Sequence, residues 1–465
     1  MKKSEFRQLL ENGYGSALIF LKNCDSPMEY ARQIEYCCTH NTCYDMQCEG
    51  DRADYLFEAI CLTGQEPYFL ESIMRRLENE RNLDDWECRQ MISLLLLYWR
   101  KGYSEAAEFL DRLFERKLKE LSTGKQHPNR YRRDGFKDLC TVLSDEDESY
   151  FVRTVKNVGK YLTEYPDSDM FSLDYFYMRF LRDKGKGYSR KLLKDVPKEY
   201  VKAFDNAFYD PEHFLFGRHP KNKPPKRPRP SFDRLIECLN GDEDIRKKHM
   251  MTRLFAIAAE ESDLKRLAEL MLSEKDKEKQ LIMLEAFDVT SFPLDSGILF
   301  RMFDSGSEEM REKLFYAMCN ITDNEELVKK YAAKELSRLP ENADSELMSA
   351  ALSAYVSKAR GQDVNYLLSI PENVNFDEYQ LHSLYGEIEK AFRRYPTRKA
   401  RDILMYIYPR MSCTICRYYL IKAMSKCRCL SDNILEEACY DANPDTRAYA
   451  RRISNRRNGS LSYTS

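Results

Sequence analysis

Between Ser305 and Leu339 the chain carries two apolar stripes separated by one short polar turn, a pattern that is not stable in isolation. Met310, Leu314, Ala317, Met318 and Ile321 recur at spacings of four, three, one and three, and Leu327, Tyr331, Ala332, Leu336 and Leu339 form a second set. Each set marks one face of a helix. Two amphipathic helices joined so closely leave apolar surface that only neighbours of the same kind can cover. Ser305 with Glu308 predicts a capping box for the first helix, Asp323 with Glu326 an Asp-headed equivalent for the second, and Pro340 a stop.

Such neighbours are present in the pattern. Gly241–Arg246, Ser307–Arg311 and Asn443–Arg447 each place an acid two residues before an arginine. Arg246 and Arg311 are 65 positions apart, and Arg311 and Arg447 are 136 apart, close to two and four units of about 33 residues. Segments starting near Ser273, Asp344, Asp377 and Cys413 fill the gaps. In these residues, above all Asn443-Pro444-Asp445-Thr446-Arg447 and the run on to Ile453, the C-terminal half resembles HEAT repeats, particularly the short HEAT-like units of bacterial proteins related to phycobilisome lyases. The resemblance implies that acid and arginine link successive units as a structural ladder; it implies no chemistry.

Composition agrees with helices throughout. A chain of 465 residues with only 17 Gly and 17 Pro has too few turn formers for an all-β protein, and 32% charged residues suit thin helical layers with much solvated surface. The expected fold class is all-α, an α-solenoid of stacked antiparallel helical hairpins. In the N-terminal half, helices are expected at Asp51–Thr63, Pro67–Glu78 and Asp84–Lys101, and Gly102 to Ala107 with Leu110, Phe114 and Leu118 looks like part of a tetratricopeptide unit. The run Arg218 to Pro230, with six basic residues, five prolines and no acid, breaks helix and reads as a linker. The expected organisation is therefore an N-terminal helical lobe over 1–216, a basic Pro-rich linker over 217–231, a HEAT-like lobe over 232–457 and a disordered tail over 458–465.

A formal charge of −2 confines any nucleic-acid contact to a local patch. The longest apolar run near the N-terminus, Ala17 to Leu21, is too short for a signal segment, and 15 cysteines read as reduced core residues rather than a disulfide framework. A cytoplasmic protein with no membrane contact is expected. No Walker loop, G-x-G-x-x-G, G-x-S-x-G or H-E-x-x-H element occurs, and nothing asks for a cofactor.

Three features carry the functional alternatives. The segment from Cys37 to Arg52 concentrates polar groups between two helices. His40, Asn41, Tyr44, Asp45, Gln47, Glu49, Arg52 and Tyr55 are candidates for a ligand pocket, with Asp45 and Glu49 as acceptors, Arg52 as a forked donor and the tyrosines as walls. The competing reading is that Asp45, Glu49 and Arg52 cap and bridge helices. A zinc site on Cys37 or Cys38, His40, Cys43 and Cys48 fits no standard spacing. Cys413-x-x-Cys416, with Cys427, Cys429 and Cys439 nearby, reads as core cysteines. The basic patch of Arg218, Lys221, Lys223, Lys226, Arg227 and Arg229, with Lys125–Lys137 and the C-terminal arginines, would serve a phosphate backbone, an acidic partner or the chain's own Asp145–Glu148 run.

The expectation that follows is a non-catalytic protein-binding scaffold with an unidentified protein partner, presenting a concave helical surface with Tyr and Arg anchors. The alternatives are a HEAT-like nucleic-acid-binding protein resembling the HEAT-like DNA glycosylases, and a small-ligand protein or enzyme with its pocket at 40–55.

Overall fold

In the computed structural model, residues 1–79, 83–122, 135–166, 173–209, 230–338, 346–373 and 378–461 are described. They form 27 α-helices joined by short turns and 3₁₀ segments, with no strand among the described residues. Nor is any helix among them long and apolar enough to cross a membrane. The chain divides into two compact units: Met1–Lys221 with Ser412–Tyr418 and Ser431–Ser465, and Asn222–Met411 with Tyr419–Leu430.

In the first unit the apolar stripes meet in one continuous core that runs from Phe6, Leu18 and Ile60 through Met91, Phe114 and Leu139 to Phe151, Phe176 and Phe204. The helix Asp85–Arg100 starts where Asp84 accepts the Glu87 N–H at 2.8 Å and packs on Ser104–Ser122, which buries Leu110, Phe114 and Leu118. Glu148–Glu164 lies so close to Lys198–Phe208 that a Cβ on Gly159 would stand 2.3 Å from the Tyr200 carbonyl oxygen. The acidic run Asp145–Glu148 is bonded within this unit. Asp145 pairs with Arg179 at 2.6 Å, Glu146 with Arg100, and Glu148 with Lys184 at 3.0 Å, while Asp147 caps Ser149. Asp145, Glu146 and Glu148 thus have partners on neighbouring helices, and Asp147 caps its own.

The second unit contains a row of helices. Ile245–Ala258, Lys277–Leu284 with its 3₁₀ turn Glu285–Asp288, Glu308–Met318, Glu346–Ser357 and Glu378–Arg394 each pack on the next. Their first residues follow one another at 32, 31, 38 and 32 positions. A second periodicity lies in the hydrogen bonds. Asn320 Nδ2 donates to the Phe287 and Asp288 carbonyls at 2.9 and 2.7 Å, Lys358 Nζ to those of Cys319 and Ile321 at 2.9 and 2.5 Å, and Lys426 Nζ to that of Arg393 at 3.4 Å. The last carbonyls of a helix have no partner within it. Here a polar side chain 32 to 39 residues further on supplies one.

The caps differ from those predicted. Ser305 ends the helix Gly297–Ser305 and donates to the Arg301 carbonyl, so the cap of the next helix passes to Ser307, whose Oγ accepts the Met310 N–H at 3.3 Å. Asp323 accepts from Ser296 Oγ at 2.7 Å, and Asn324, at φ 57°, takes the position before Glu325–Leu336. The expected stop at Pro340 lies outside the described residues. Arg311 and Arg447 do not reach toward a neighbouring repeat in these bonds. Each donates back to the turn before its own helix, to the Gly306 carbonyl at 3.2 Å and the Asp441 carbonyl at 3.0 Å. An arginine in the first turn of a helix finds that carbonyl within reach of its own stem. The last helix, Pro444–Leu461, extends past Arg457.

Candidate functional site

The polar segment 37–55 is folded against its own unit. Asp45 caps a single helical turn, Met46–Glu49, by accepting the Gln47 and Cys48 N–H groups, and Gln47 itself is exposed. Asn41 accepts the Cys43 N–H and donates to the Gly50 carbonyl, closing the loop. The His40 ring stacks on Tyr36 at 4.2 Å with Nδ1 3.0 Å from the Tyr36 carbonyl. Gln90 serves the end of that helix by donating to the Cys37 and His40 carbonyls. Tyr55 is buried and donates to the Tyr14 carbonyl at 2.8 Å. Tyr44 is half-buried and is also in contact with a neighbouring group.

Glu49 and Arg52 form the centre of this segment. Glu49 Oε2 accepts from Arg52 Nη2 at 3.0 Å, the Thr414 N–H at 3.1 Å and the Thr414 hydroxyl at 2.5 Å, while Oε1 accepts the Asp45 N–H. Burial opposes ionisation of Glu49, but Arg52 and these hydrogen bonds outweigh it and hold its carboxyl below the usual carboxylate range. Arg52 also donates to the Glu11 carbonyl. The segment therefore joins residues 11–14 to residues at 414.

A second joint lies beside it, in residues that the sequence does not single out. Arg417 and Asp441 are both fully buried and pair at 2.6 Å. Arg417 Nη2 donates to the Asn12 and Gly13 carbonyls at 2.9 Å each, and its guanidinium lies 4.0 Å from the centre of the Tyr14 ring. Gly13, at φ +67°, accepts the Ala442 N–H at 2.9 Å, and a Cβ on Gly15 would stand 1.9 Å from the Glu437 carbonyl oxygen. Only glycine permits that approach. Two glycines flanking Tyr14 were the one sequence signal available.

A concave surface of another kind lies in the second unit. It is a cleft of about 770 Å³ whose lining includes Leu336, Met348, Leu352, Ser349, Ser353 and Tyr379. This is within the usual range for ligand sites, roughly 300–1,000 Å³. Its lining comes from Ile245–Ala258, the 3₁₀ turn Glu285–Asp288, Glu308–Met318, Glu346–Ser357 and Glu378–Arg394, from Arg253 to Glu387, with Leu336 added from Glu325–Leu336. Tyr379 stands 74% exposed at the rim.

Charge sets the character of the cleft. Five carboxylates line it, Glu285, Asp288, Glu312, Glu346 and Glu387, against Arg253 and Lys313. Glu285 is saturated by Lys313 at 2.9 Å and His249 at 2.7 Å, and Glu387 by Lys390 at 2.5 Å. Glu312 stands 3.9 Å from Lys313 Nζ, and no ion pair within 4 Å is found for Asp288 or Glu346 among the described residues. Asp288 Oδ1 is buried and accepts no hydrogen bond. Burial, and then the Glu285 charge, push the Asp288 carboxyl up to about 7 against the pull of Lys313 and Arg253. The Glu312 carboxyl is raised by burial and by the nearby Glu346, against the pull of Lys313. No three of these acids bring ligand oxygens within 4.8 Å of one another, so they do not form a single-ion site. The described lining holds neither histidine nor cysteine, and so no Ser–His or Cys–His couple.

The basic patch of Arg218, Lys221, Lys223, Lys226, Arg227 and Arg229 lies outside the described residues, as do Arg130, Arg132 and Arg133. Among the cysteines, Cys37, Cys38, Cys413 and Cys427 are buried, and burial pushes the Cys37 thiol up to about 12, away from the reactive thiolate form. Comparison of the chain with protein families, with curated proteins and with solved structures found no match.

Proposed function

We propose that the protein is a non-catalytic, protein-binding scaffold whose second unit is a helical-repeat solenoid, with the partner held on the face formed by the row of helices. The observation that carries this reading is the origin of the cleft, because successive helices about 31 to 38 residues apart each contribute part of one continuous polar wall. Repeat proteins bind through such surfaces, since each unit adds a strip to a shared face. The carbonyl-capping bonds of Asn320, Lys358 and Lys426 support the solenoid, because each ties one unit to the one before.

The test is capture from host lysate with the full chain and with Ser353→Trp, which fills the cleft. The scaffold reading expects a stoichiometric protein held by the parent chain at moderate salt and lost from the variant. Nucleic acid in its place, lost steeply with rising salt, would contradict the reading and favour the basic segments instead.

A further inference from the structure

We propose that the first helix of the row, Ile245–Ala258, is the contact of a symmetric homodimer, lying antiparallel against the same helix of a second copy of this chain with Leu254 beside the twofold axis. Such pairing is independent of what the cleft binds.

A surface helix normally carries one apolar face, turned to the core. Ile245–Ala258 carries two. Thr252, Phe255 and Ala256 are buried against the unit, while Met250, Leu254 and Ile257, spaced by four and three, form a stripe on the side away from them. That stripe is open, with Met250 54%, Leu254 43% and Ile257 70% exposed. Outside this helix, the exposed large apolar side chains among the described residues are tyrosines, Met1, Met28 and Leu272. An aliphatic stripe left open in this way marks an interaction surface.

Charge identifies the occupant. Arg246 lies eight residues before Leu254, and Glu260 and Glu261 lie six and seven after it. All three are exposed, and none forms an ion pair among the described residues. Of the neighbouring charges, Lys247 pairs with Glu243 at 2.6 Å, and Asp244 caps the helix by accepting the Arg246 N–H at 3.4 Å. A cation in the first turn and acids just past the last one both oppose the helix dipole, so their own helix stabilises neither. An antiparallel copy resolves both. With the twofold beside Leu254, the two Leu254 side chains meet and Met250 comes level with Ile257 of the second copy. Arg246, about 12 Å along the axis, then comes level with Glu260 and Glu261 of that copy. Arg253, on the flank of the stripe, has the acids of the cleft for neighbours. A twofold contact needs a surface that is its own complement, and a cation, an apolar centre and acids in that order along one helix meet the condition when the helix is reversed. A second copy carries the matching order necessarily, whereas any other partner would have to supply it. Two helices of 14 residues, each about 21 Å long, suit a concentration-dependent dimer better than an obligate one.

The experiment is analytical ultracentrifugation of the full chain over roughly a hundredfold range of concentration. A monomer–dimer equilibrium is expected. Leu254→Glu, which sets two carboxylates together at the axis, should weaken the dimer about a hundredfold or more, and Met28→Glu, an exposed side chain in the first unit, should not. Arg246→Glu alone and Glu260→Lys/Glu261→Lys alone should each weaken it by about tenfold, because each reversal acts at both ends of the pair. Mixed in equal amounts, these two reversed chains should form a heterodimer as tight as the parent homodimer, since every cation then meets an acid again. The substituted side chains are all exposed, and thermal unfolding of each variant checks that it folds. A parent chain that stays monomeric throughout, a dimer untouched by Leu254→Glu, or reversed chains that fail to pair with one another would each overturn the assignment.

Discussion

Replacing Arg417 by methionine should loosen the hold of residues 431–461 on the helices at the chain's beginning. The side chain is fully buried, and its removal deletes a 2.6 Å ion pair with Asp441, two 2.9 Å bonds to the Asn12 and Gly13 carbonyls, and the contact with Tyr14. The largest effect is on what remains, because Asp441 is left as a buried charge without its cation. Breaking one side of such a pair costs about 3–5 kcal/mol. The loss should fall on local opening, since a chain of two units need not unfold in one step. At about 1.4 kcal/mol per tenfold, amide hydrogen exchange through Asp432–Ala438 and Pro444 to Arg457 should accelerate by roughly two to four powers of ten, while Glu148–Glu164 stays unchanged. Adding Asp441→Asn should recover part of the loss, because no charge is then stranded. Unchanged exchange in Arg417→Met, or acceleration spread evenly over the first unit, would refute the argument that this pair fixes the C-terminal segment.

Three further outcomes follow from the same structure. Gly15→Ala places a methyl group 1.9 Å from the Glu437 carbonyl oxygen and should release the helix Asp432–Ala438, seen as faster proteolysis there, whereas Gly64→Ala, whose Cβ meets nothing within 4 Å, should not. Lys358→Met leaves the Cys319 and Ile321 carbonyls without their donor and should lower the denaturation midpoint of the second unit by a change worth about 1–3 kcal/mol; an unchanged midpoint would mean that the capping bonds do not stabilise the repeat. Asp288 has a folded pKa of about 7, above its ordinary 3.8, so its contribution to stability is complete below about pH 4 and is lost as pH rises through 7. A shift of that size corresponds to something on the order of 2–4 kcal/mol. The groups that set it, Glu285, Lys313, Arg253 and Glu312, remain in Asp288→Asn. That variant should therefore lose the part of the pH 5 to pH 8 decline that belongs to Asp288, and an identical pH profile would contradict the assignment.

The helices were legible because their signal is local. Met310, Leu314, Ala317 and Met318 share a face whatever surrounds them, and all four are buried as that face requires. Caps were less legible, since Ser305 and Ser307 are both good cap residues and the choice depends on where the preceding helix stops. The polar concentration at Asp45, Glu49 and Arg52 was visible, but its purpose was not. Glu49 bonds to Thr414, 365 positions away, and no periodicity connects the two. The same holds for Gly13 with Ala442 and Arg417 with Asn12. The acids of the cleft escaped notice for a different reason. Asp288, Glu312 and Glu346 are each ordinary residues for a surface helix, and only the stacking of successive units brings them onto one wall.

The claim that the row of helices in the second unit is the partner-binding face is tested most directly by mapping hydrogen exchange of the full chain with and without the protein partner captured from host lysate, at saturation. Slower exchange is expected within 308–318, 346–357 and 378–394, the helices that carry Glu312, Glu346 and Glu387, with no change across 1–79. Protection centred instead on 40–55, or none in those three helices, would contradict it.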